Sequence, residues 1–138
     1  MIYLDSCAIV KLVAPEAESA ALKGWLDKQS SAGLFTSKLS EVEVPRALRR
    51  NRPGVLGAAA GVLRYLDRVE INDVVRATAA AYIEPSLRSL DAIHLATAEA
   101  IVAAGKSVTG FVTYDKRLAA AAAEAGLTVV SPGASGNI

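Results

Sequence analysis

The sequence has a single cysteine, few aromatic residues, almost no net charge and no long apolar run. Cys7 alone excludes an internal disulfide framework and a zinc site built from cysteines. A formal net charge of +1 excludes a global attraction to nucleic acid, so any RNA-binding surface must be a local patch. No apolar run reaches the ~18 residues that span a bilayer, and the amino terminus lacks the basic region of a signal peptide. We therefore expect a cytoplasmic protein with no membrane partner.

The 138 residues are 52% hydrophobic, and they alternate between short apolar segments and longer helical ones. A chain of this length forms one domain that buries roughly two thirds of its unfolded surface. Alternating strands and helices predict an α/β fold with a central parallel sheet and helices on both faces. We expect the domain to span residues 1–130 and the segment 131–138, SPGASGNI, to form a loose tail.

Hydrophobic periodicity and turn residues place the individual elements. The predicted strands lie at 2–4, 34–36, 69–71, 110–113 and 127–130. The predicted helices lie at 7–13, 16–28, 37 or 40 to 50, 54–66, 72–82, 89–104 and 116–125.

The segment SLDAIHLATA opens the most apolar of these helices. Ser89 is predicted to cap it, which puts Asp91 in the first turn, where the helix dipole favours a carboxylate. Because the helix is apolar on all sides, we expect it to be buried. Helix-start chemistry alone could account for Asp91, so its role depends on where the other acids fall.

Two other aspartates follow predicted strands. Asp5 ends the first strand, and Asp115 lies two residues after Thr113, at the end of another. Sites in parallel sheets form beyond the carboxyl ends of the strands, so Asp5, Asp91 and Asp115 could share one crevice. Such carboxylates repel each other unless a cation separates them, and an oxygen-only set indicates Mg²⁺ or Mn²⁺ rather than zinc. The matching chemistry is metal-assisted hydrolysis of a phosphodiester, although aspartate is also a common helix opener.

Four segments resemble the four acidic motifs of the PIN-domain ribonucleases and, more narrowly, of the VapC toxins of bacterial toxin–antitoxin pairs. They are YLDSCAIVKL, TSKLSEVEVPRALRR, SLDAIHLATA and FVTYDKRL. They stand in the family's order, and the resemblance covers residues 2–130. It implies a PIN-like domain with a five-stranded parallel sheet and an Mg²⁺-dependent endoribonuclease, with Mn²⁺ as a substitute ion. It also implies a structured RNA substrate such as tRNA or rRNA, a homodimer, and a VapB-like antitoxin that holds the enzyme inactive. Carried over residue by residue, it implies a catalytic, metal-binding quartet of Asp5, Glu43, Asp91 and Asp115.

Glu43 has a rival in Glu41. On a helix the two side chains lie about 200° apart, so only one can face the site. Ser40 and Glu43 also fit a capping box, and Pro45 indicates a kink or a helix start near Ser40. The family's spacing favours Glu43.

Several neighbours of the quartet are secondary candidates. The hydroxyls of Ser6 and Thr113 are predicted near the metal, although Ser6 could equally be a plain helix cap. His94 is expected to be a hydrogen-bonded core residue, and Cys7 a small buried apolar one.

The densest positive charge in the sequence is a run of four arginines, Arg46, Arg49, Arg50 and Arg52. Such a run could follow an RNA backbone, bind an acidic antitoxin segment, or simply be solvated. The candidate RNA- or antitoxin-binding residues are Arg46, Arg49, Arg50, Lys116 and Arg117.

Other classes of protein fit the sequence less well. A phosphorylatable receiver needs an acidic pair after the first strand, and a haloacid dehalogenase needs Asp-x-Asp there, where residue 7 is cysteine. A hydrolase built on Cys7 and His94 would leave the acids without a purpose. A PIN-type RNA-processing nuclease with no toxin role, and a non-catalytic PIN-like binding module, remain the alternatives.

Overall fold

The computed structural model describes residues 1–29 and 31–134, and a parallel sheet of five strands runs through the centre of that part of the chain. Its strand order is β3-β2-β1-β4-β5, and every neighbouring pair is parallel. This confirms the predicted sheet. The strand order reverses between β1 and β4, and such a reversal opens a crevice at the carboxyl ends of the strands. The strands are β1 Ile2–Leu4, β2 Leu34–Ser37, β3 Asp67–Val69, β4 Gly110–Val112 and β5 Val129–Val130.

Seven α-helices of the described residues connect and flank these strands. They are α1 Ser6–Val13, α2 Ser19–Asp27, α3 Ser40–Asn51, α4 Ala59–Leu63, α5 Asp73–Ala81, α6 Ser89–Ala103 and α7 Lys116–Glu124. The helix predicted over 54–66 is wrong in its first half, because Pro53–Ala58 forms a 3₁₀ segment. Pro53, Gly54 and Gly57 explain the difference, since proline and glycine are the poorest formers of an α-helix.

The sheet divides the core into two layers. On β1, Ile2 and Leu4 pack into the layer formed with α1, α3 and α4, whereas Tyr3 packs into the layer formed with α6 and α7. This alternation follows from the two-residue period of a strand. The Tyr3 ring stacks on Phe111 at 5.0 Å between centroids and meets Phe35 edge-on at 5.1 Å.

Helix α6 is buried only over its middle. Ala92 and residues 94–98 are buried, but Leu90 and Val102 near its two ends are about half exposed. The expectation of a helix buried throughout is therefore wrong. Only its middle turns, which carry Leu95 and Ala98, pack into the core layer that contains Tyr3. Ser89 is also not the cap: Arg88 takes that position, with no side-chain hydrogen bond. No helix in the described part of the chain is long and apolar enough to cross a membrane.

The first residues of the expected tail contact the domain. The Ser131 hydroxyl donates to the backbone carbonyl of Thr113 at 2.5 Å, and the Tyr114 hydroxyl donates to the carbonyl of Pro132 at 2.8 Å. Residues 135–138, which belong to the same expected tail, lie outside the described residues. The division at residue 130 stays a prediction.

Candidate active site

Asp5 lies at the end of β1, and its side chain is only 3% exposed. It caps α1: Oδ1 accepts the backbone N–H of Ala8 at 2.9 Å, and Oδ2 accepts the Thr113 hydroxyl at 2.6 Å. Burial raises the pKa of Asp5, and the electrostatic interaction with His94 and these hydrogen bonds offset it only in part. A buried carboxylate that remains costly to ionise is typical of a functional position.

Asp115 lies three residues beyond the end of β4. It caps α7, where Oδ1 accepts the N–H of Leu118 at 2.8 Å. Its own N–H donates to the Thr113 oxygen at 3.1 Å, while the Thr113 hydroxyl donates to Asp5. The buried Thr113 side chain therefore links the two aspartates and fixes their separation.

Glu43 reaches the same edge from α3. Its Oε1 accepts the Ser6 hydroxyl at 2.6 Å and lies 2.7 Å from Nε2 of His94. Partial burial alone would raise the pKa of Glu43, but these two hydrogen bonds and the electrostatic interaction with His94 outweigh it, so the pKa is lowered. Glu41 lies on the exposed side of the helix, 3.2 Å from Arg68. The geometry therefore favours Glu43 over Glu41.

Asp91 lies in the first turn of α6 and is partly exposed. Desolvation raises its pKa, and the nearby charges of Asp115, Asp5 and Glu43 raise it further, against a smaller opposing effect of His94. The structure thus brings all four acids predicted from the sequence into one electrostatically coupled group.

The donor chemistry of these four residues fits a hard divalent cation. All four offer carboxylate oxygens, the ligands that such ions prefer. In residues 1–29 and 31–134, no three His, Cys, Asp or Glu side chains are already gathered closely enough to enclose an ion. Desolvation first, and then the charges of the other three acids, raise the pKa of Asp91, and a cation among the carboxylates would offset both costs.

The structure decides between two alternatives for Ser6 and corrects the expectation for Cys7. Ser6 is not the helix cap, because Asp5 takes that role, and the Ser6 hydroxyl instead donates to Glu43 and lies 3.1 Å from the Ser40 hydroxyl. Cys7 is exposed rather than buried, because its position on α1 faces a groove and the sheet-facing positions are those of Ala8 and Ile9. Desolvation within the groove, followed by the charges of the four acids, raises the pKa of Cys7 to about 12.

This groove has a volume of about 700 Å³ and runs from the acidic group along α1 and α3. Its walls combine apolar side chains with Arg46 and Arg50, whereas Arg49 of the same helix does not line it. Arg52 points elsewhere and donates to the Pro15 carbonyl at 2.9 Å. The predicted arginine cluster is therefore divided, and only part of it faces the acids. The apolar lining residues are Val10, Leu39, Val42, Ala47 and Leu90.

Lys116 and Arg117 follow Asp115 at the start of α7. Both are exposed, and neither forms an ion pair with an acid of the described residues. Their position beside Asp115 leaves them free to meet an anionic ligand.

Sequence reasoning missed one set of contacts. His94 is 2% exposed, which confirms it as a hydrogen-bonded core residue, but its two ring nitrogens join Tyr3 to Glu43. The signal available in the sequence was its place one turn after Asp91, which puts both residues on one face of α6.

The chain matches a known family over most of its length. The family model of the PIN domain matches residues 2–124. Ribonuclease VapC35 of Mycobacterium tuberculosis is 52% identical over 133 residues, covering 96% of this chain and 98% of that protein. Ribonuclease VapC47 of the same bacterium is 41% identical over 137 residues, covering 97% of this chain and 98% of that protein.

Two solved structures share the fold. FitAcB from Neisseria gonorrhoeae matches with a TM-score of 0.70 at 19% identity, covering 96% of this chain and 98% of that chain. VapC20 of Mycobacterium tuberculosis, described as a Sarcin-Ricin loop cleaving toxin, matches with a TM-score of 0.67 at 17% identity, covering 88% and 95%. These two structures show the fold, and the family model and the sequence relatives show that the chain belongs to the PIN-domain family and, within it, to the VapC-type ribonucleases.

Proposed function

We propose that this chain is a metal-dependent endoribonuclease that hydrolyses phosphodiester bonds in RNA and acts as the toxin of a type II toxin–antitoxin pair. The observation that carries the proposal is the acidic group at the carboxyl edge of the sheet, where the Thr113 hydroxyl is hydrogen-bonded to both Asp5 and Asp115. Glu43 and Asp91 belong to the same group, since the charges of the other three acids raise the pKa of Asp91 in addition to desolvation. The VapC ribonucleases that match nearly the whole chain support the same activity.

Each residue of the group has a definable task. Asp5, Glu43, Asp91 and Asp115 would hold the ion, for which we propose Mg²⁺, with Mn²⁺ as a substitute. A divalent ion held there supplies Lewis-acid activation of water and neutralises the charge that develops on the phosphodiester. Thr113 orients Asp5 through its hydrogen bond.

Ser6 orients Glu43 in a similar way, through the hydrogen bond that its hydroxyl donates. Arg46 and Arg50 lie along the groove that leads to the acids, where their charges would hold the RNA phosphates.

Membership of the VapC family supports proposals about the substrate, the inhibitor and the assembly. We propose a structured RNA, tRNA or rRNA, as the substrate, a VapB-like antitoxin as the inhibitor, and a homodimer as the working unit. Since the proposed substrate is cellular RNA, the proposed place of action is the cytoplasm.

Cleavage of RNA by the purified protein tests the activity. With total RNA and Mg²⁺ we expect discrete cleavage products, and with excess chelator we expect none, because the carboxylates alone cannot neutralise the developing charge. Re-addition of Mg²⁺ or Mn²⁺ should restore the products. Cleavage that persists after exhaustive chelation would contradict the metal-dependent mechanism.

Replacing Arg46 and Arg50 together with glutamine tests the groove as the RNA path. If both contact phosphates, RNA binding should weaken and its salt dependence should flatten by about one unit of slope per lost contact. Metal affinity should not change, because neither side chain is a ligand.

The matched control replaces Arg49 and Arg64 with glutamine, which removes the same charge from exposed positions outside the groove. An equal loss of slope in the control would show that net charge matters rather than the groove. An unchanged slope combined with a collapse of antitoxin binding would assign Arg46 and Arg50 to the antitoxin.

A further inference from the structure

We infer that Tyr3 and His94 are positioning residues, which together hold the Glu43 carboxylate in the orientation that the reaction requires. The inference rests on the proposed nuclease function and adds two residues to it. Nδ1 of His94 is hydrogen-bonded to the Tyr3 hydroxyl, and Nε2 lies 2.7 Å from Oε1 of Glu43. The three side chains thus form one chain of contacts from the core of the sheet to the acidic group.

The chemistry of the groups sets the direction of each hydrogen bond. An ionised carboxylate only accepts, so the proton on Nε2 of His94 is donated to Glu43. In the neutral imidazole this leaves Nδ1 as an acceptor, and the Tyr3 hydroxyl must donate to it. Burial raises the pKa of Tyr3 well above its usual range, so the phenol keeps the proton that it donates.

The far end of this chain of contacts is rigid. The Tyr3 side chain is fully buried, and its ring lies between Phe111 and Phe35. A residue in the middle strand of the sheet has little freedom to move. Through His94, that rigidity is transmitted across the sequence to α3, 51 residues from His94.

The contacts of the Glu43 carboxylate explain how its orientation would favour metal binding. Ser6 and His94 both contact Oε1. Among the described residues no hydrogen bond reaches Oε2, which leaves this oxygen available to an ion. Partners that orient a ligating group in this way typically contribute 10–100-fold to metal affinity or activity.

Substitutions at His94 and Tyr3 distinguish the contact between Tyr3 and His94 from the contact between His94 and Glu43. His94→Leu removes both contacts, His94→Gln keeps an N–H donor toward Glu43, and Tyr3→Phe removes only the hydroxyl. Tyr82→Phe is the matched control, since it removes the hydroxyl of a partly buried tyrosine that donates to Glu99, far from the acids along α6. Melting curves establish which variants are folded.

Two measurements go beyond activity with metal bound. Mn²⁺ affinity, measured by calorimetry or electron paramagnetic resonance, should fall about 10–100-fold in His94→Leu and about fivefold in Tyr3→Phe, the effect of one hydrogen bond. His94→Gln should recover most of the loss, and Tyr82→Phe should match the wild type. Because the chain has one histidine, ¹H–¹⁵N correlation spectra report its tautomer without ambiguity, and the proton should reside on Nε2.

Kinetics on RNA supply the third measurement. In the folded variants kcat should fall in parallel with metal affinity while KM for RNA stays within about twofold, because Glu43 orientation affects the ion and not RNA binding. Wild-type affinity for Mn²⁺ in both Tyr3→Phe and His94→Leu, or a wild-type imidazole proton on Nδ1, would overturn the inference. A wild-type protein that cuts no RNA would instead overturn the proposed function, while Mn²⁺ affinity and the tautomer would still decide the role of His94.

Discussion

Asp5→Asn is expected to abolish RNA cleavage while leaving the fold intact. A bound ion contributes several kcal/mol to such a reaction, and about 1.4 kcal/mol changes a rate tenfold, so a loss of at least about 100-fold should follow when a ligand loses its charge. Asparagine can still accept the N–H of Ala8, because it is as good a helix cap as aspartate. The Thr113 hydroxyl can rotate to accept from the new amide.

The measurement is the rate of cleavage of a defined RNA, together with a thermal melt of each protein. Asp73→Asn is the control, because it removes a carboxylate from the start of α5, at an exposed position that pairs only with Arg76. We expect Asp73→Asn to cleave at the wild-type rate. Undiminished cleavage by Asp5→Asn at an unchanged melting temperature would remove Asp5 from the proposed metal site.

The strand-end acids were accessible from the sequence for a simple reason. Asp5 and Asp115 each follow a short apolar strand, and the parallel sheet brings the carboxyl ends of its strands to one edge. Periodicity gives both positions without any long-range information. The resemblance to the PIN family was needed for Glu43, because a helix fixes only the relative angle of Glu41 and Glu43, and not which of them faces the sheet.

The contacts that sequence reasoning missed join residues that are far apart in the sequence. His94 meets Tyr3 from 91 residues away and Glu43 from 51, and no local pattern encodes such pairs. Cys7 was misplaced for a related reason: an apolar side chain after a strand looks like core, unless the groove beside α1 is known.

The free energy of unfolding of Asp91→Asn should exceed that of the wild type in the absence of metal and fall below it when metal is present. The ionised Asp91 is unfavourable in the folded state, because desolvation and the charges of Asp115, Asp5 and Glu43 raise its pKa. Asparagine removes this cost, which for a partly exposed group screened by water is about 1 kcal/mol, or about 4 °C in melting temperature.

The raised pKa of Asp91 also determines how the stability advantage of Asp91→Asn changes with pH. Since the pKa of Asp91 is raised in the folded state, the folded protein binds its proton more tightly than the unfolded chain does. The cost is absent below the unfolded pKa and grows as the pH rises toward the folded pKa. It is fully present above the folded pKa, so the advantage of Asp91→Asn should be largest at neutral pH and should shrink on acidification.

Excess Mg²⁺ should reverse the order. At a hundredfold excess over its dissociation constant, a ligand that binds only the folded state stabilises it by about 2.7 kcal/mol. The wild type should gain this stabilisation and Asp91→Asn much less, since one of the four carboxylates is gone.

Melting curves of the wild type and Asp91→Asn, in chelator and in Mg²⁺, measure this reversal of stability. Asp73→Asn measures a competing effect, the stabilisation that an acid in the first turn of a helix gains from the helix dipole. An acid in the first turn of a helix gains about 0.3–1 kcal/mol from the helix dipole, which its asparagine variant loses. Asp73 has that role and an exposed ion pair with Arg76, and it lies apart from the four acids, so Asp73→Asn should be slightly less stable than the wild type with or without Mg²⁺. If Asp91→Asn behaves in the same way, and Mg²⁺ stabilises neither protein, then Asp91 does no more than begin a helix. The opposite pattern, a gain in chelator that becomes a deficit in Mg²⁺, is the one expected if desolvation and the neighbouring acids make Asp91 costly to ionise and a divalent ion offsets that cost.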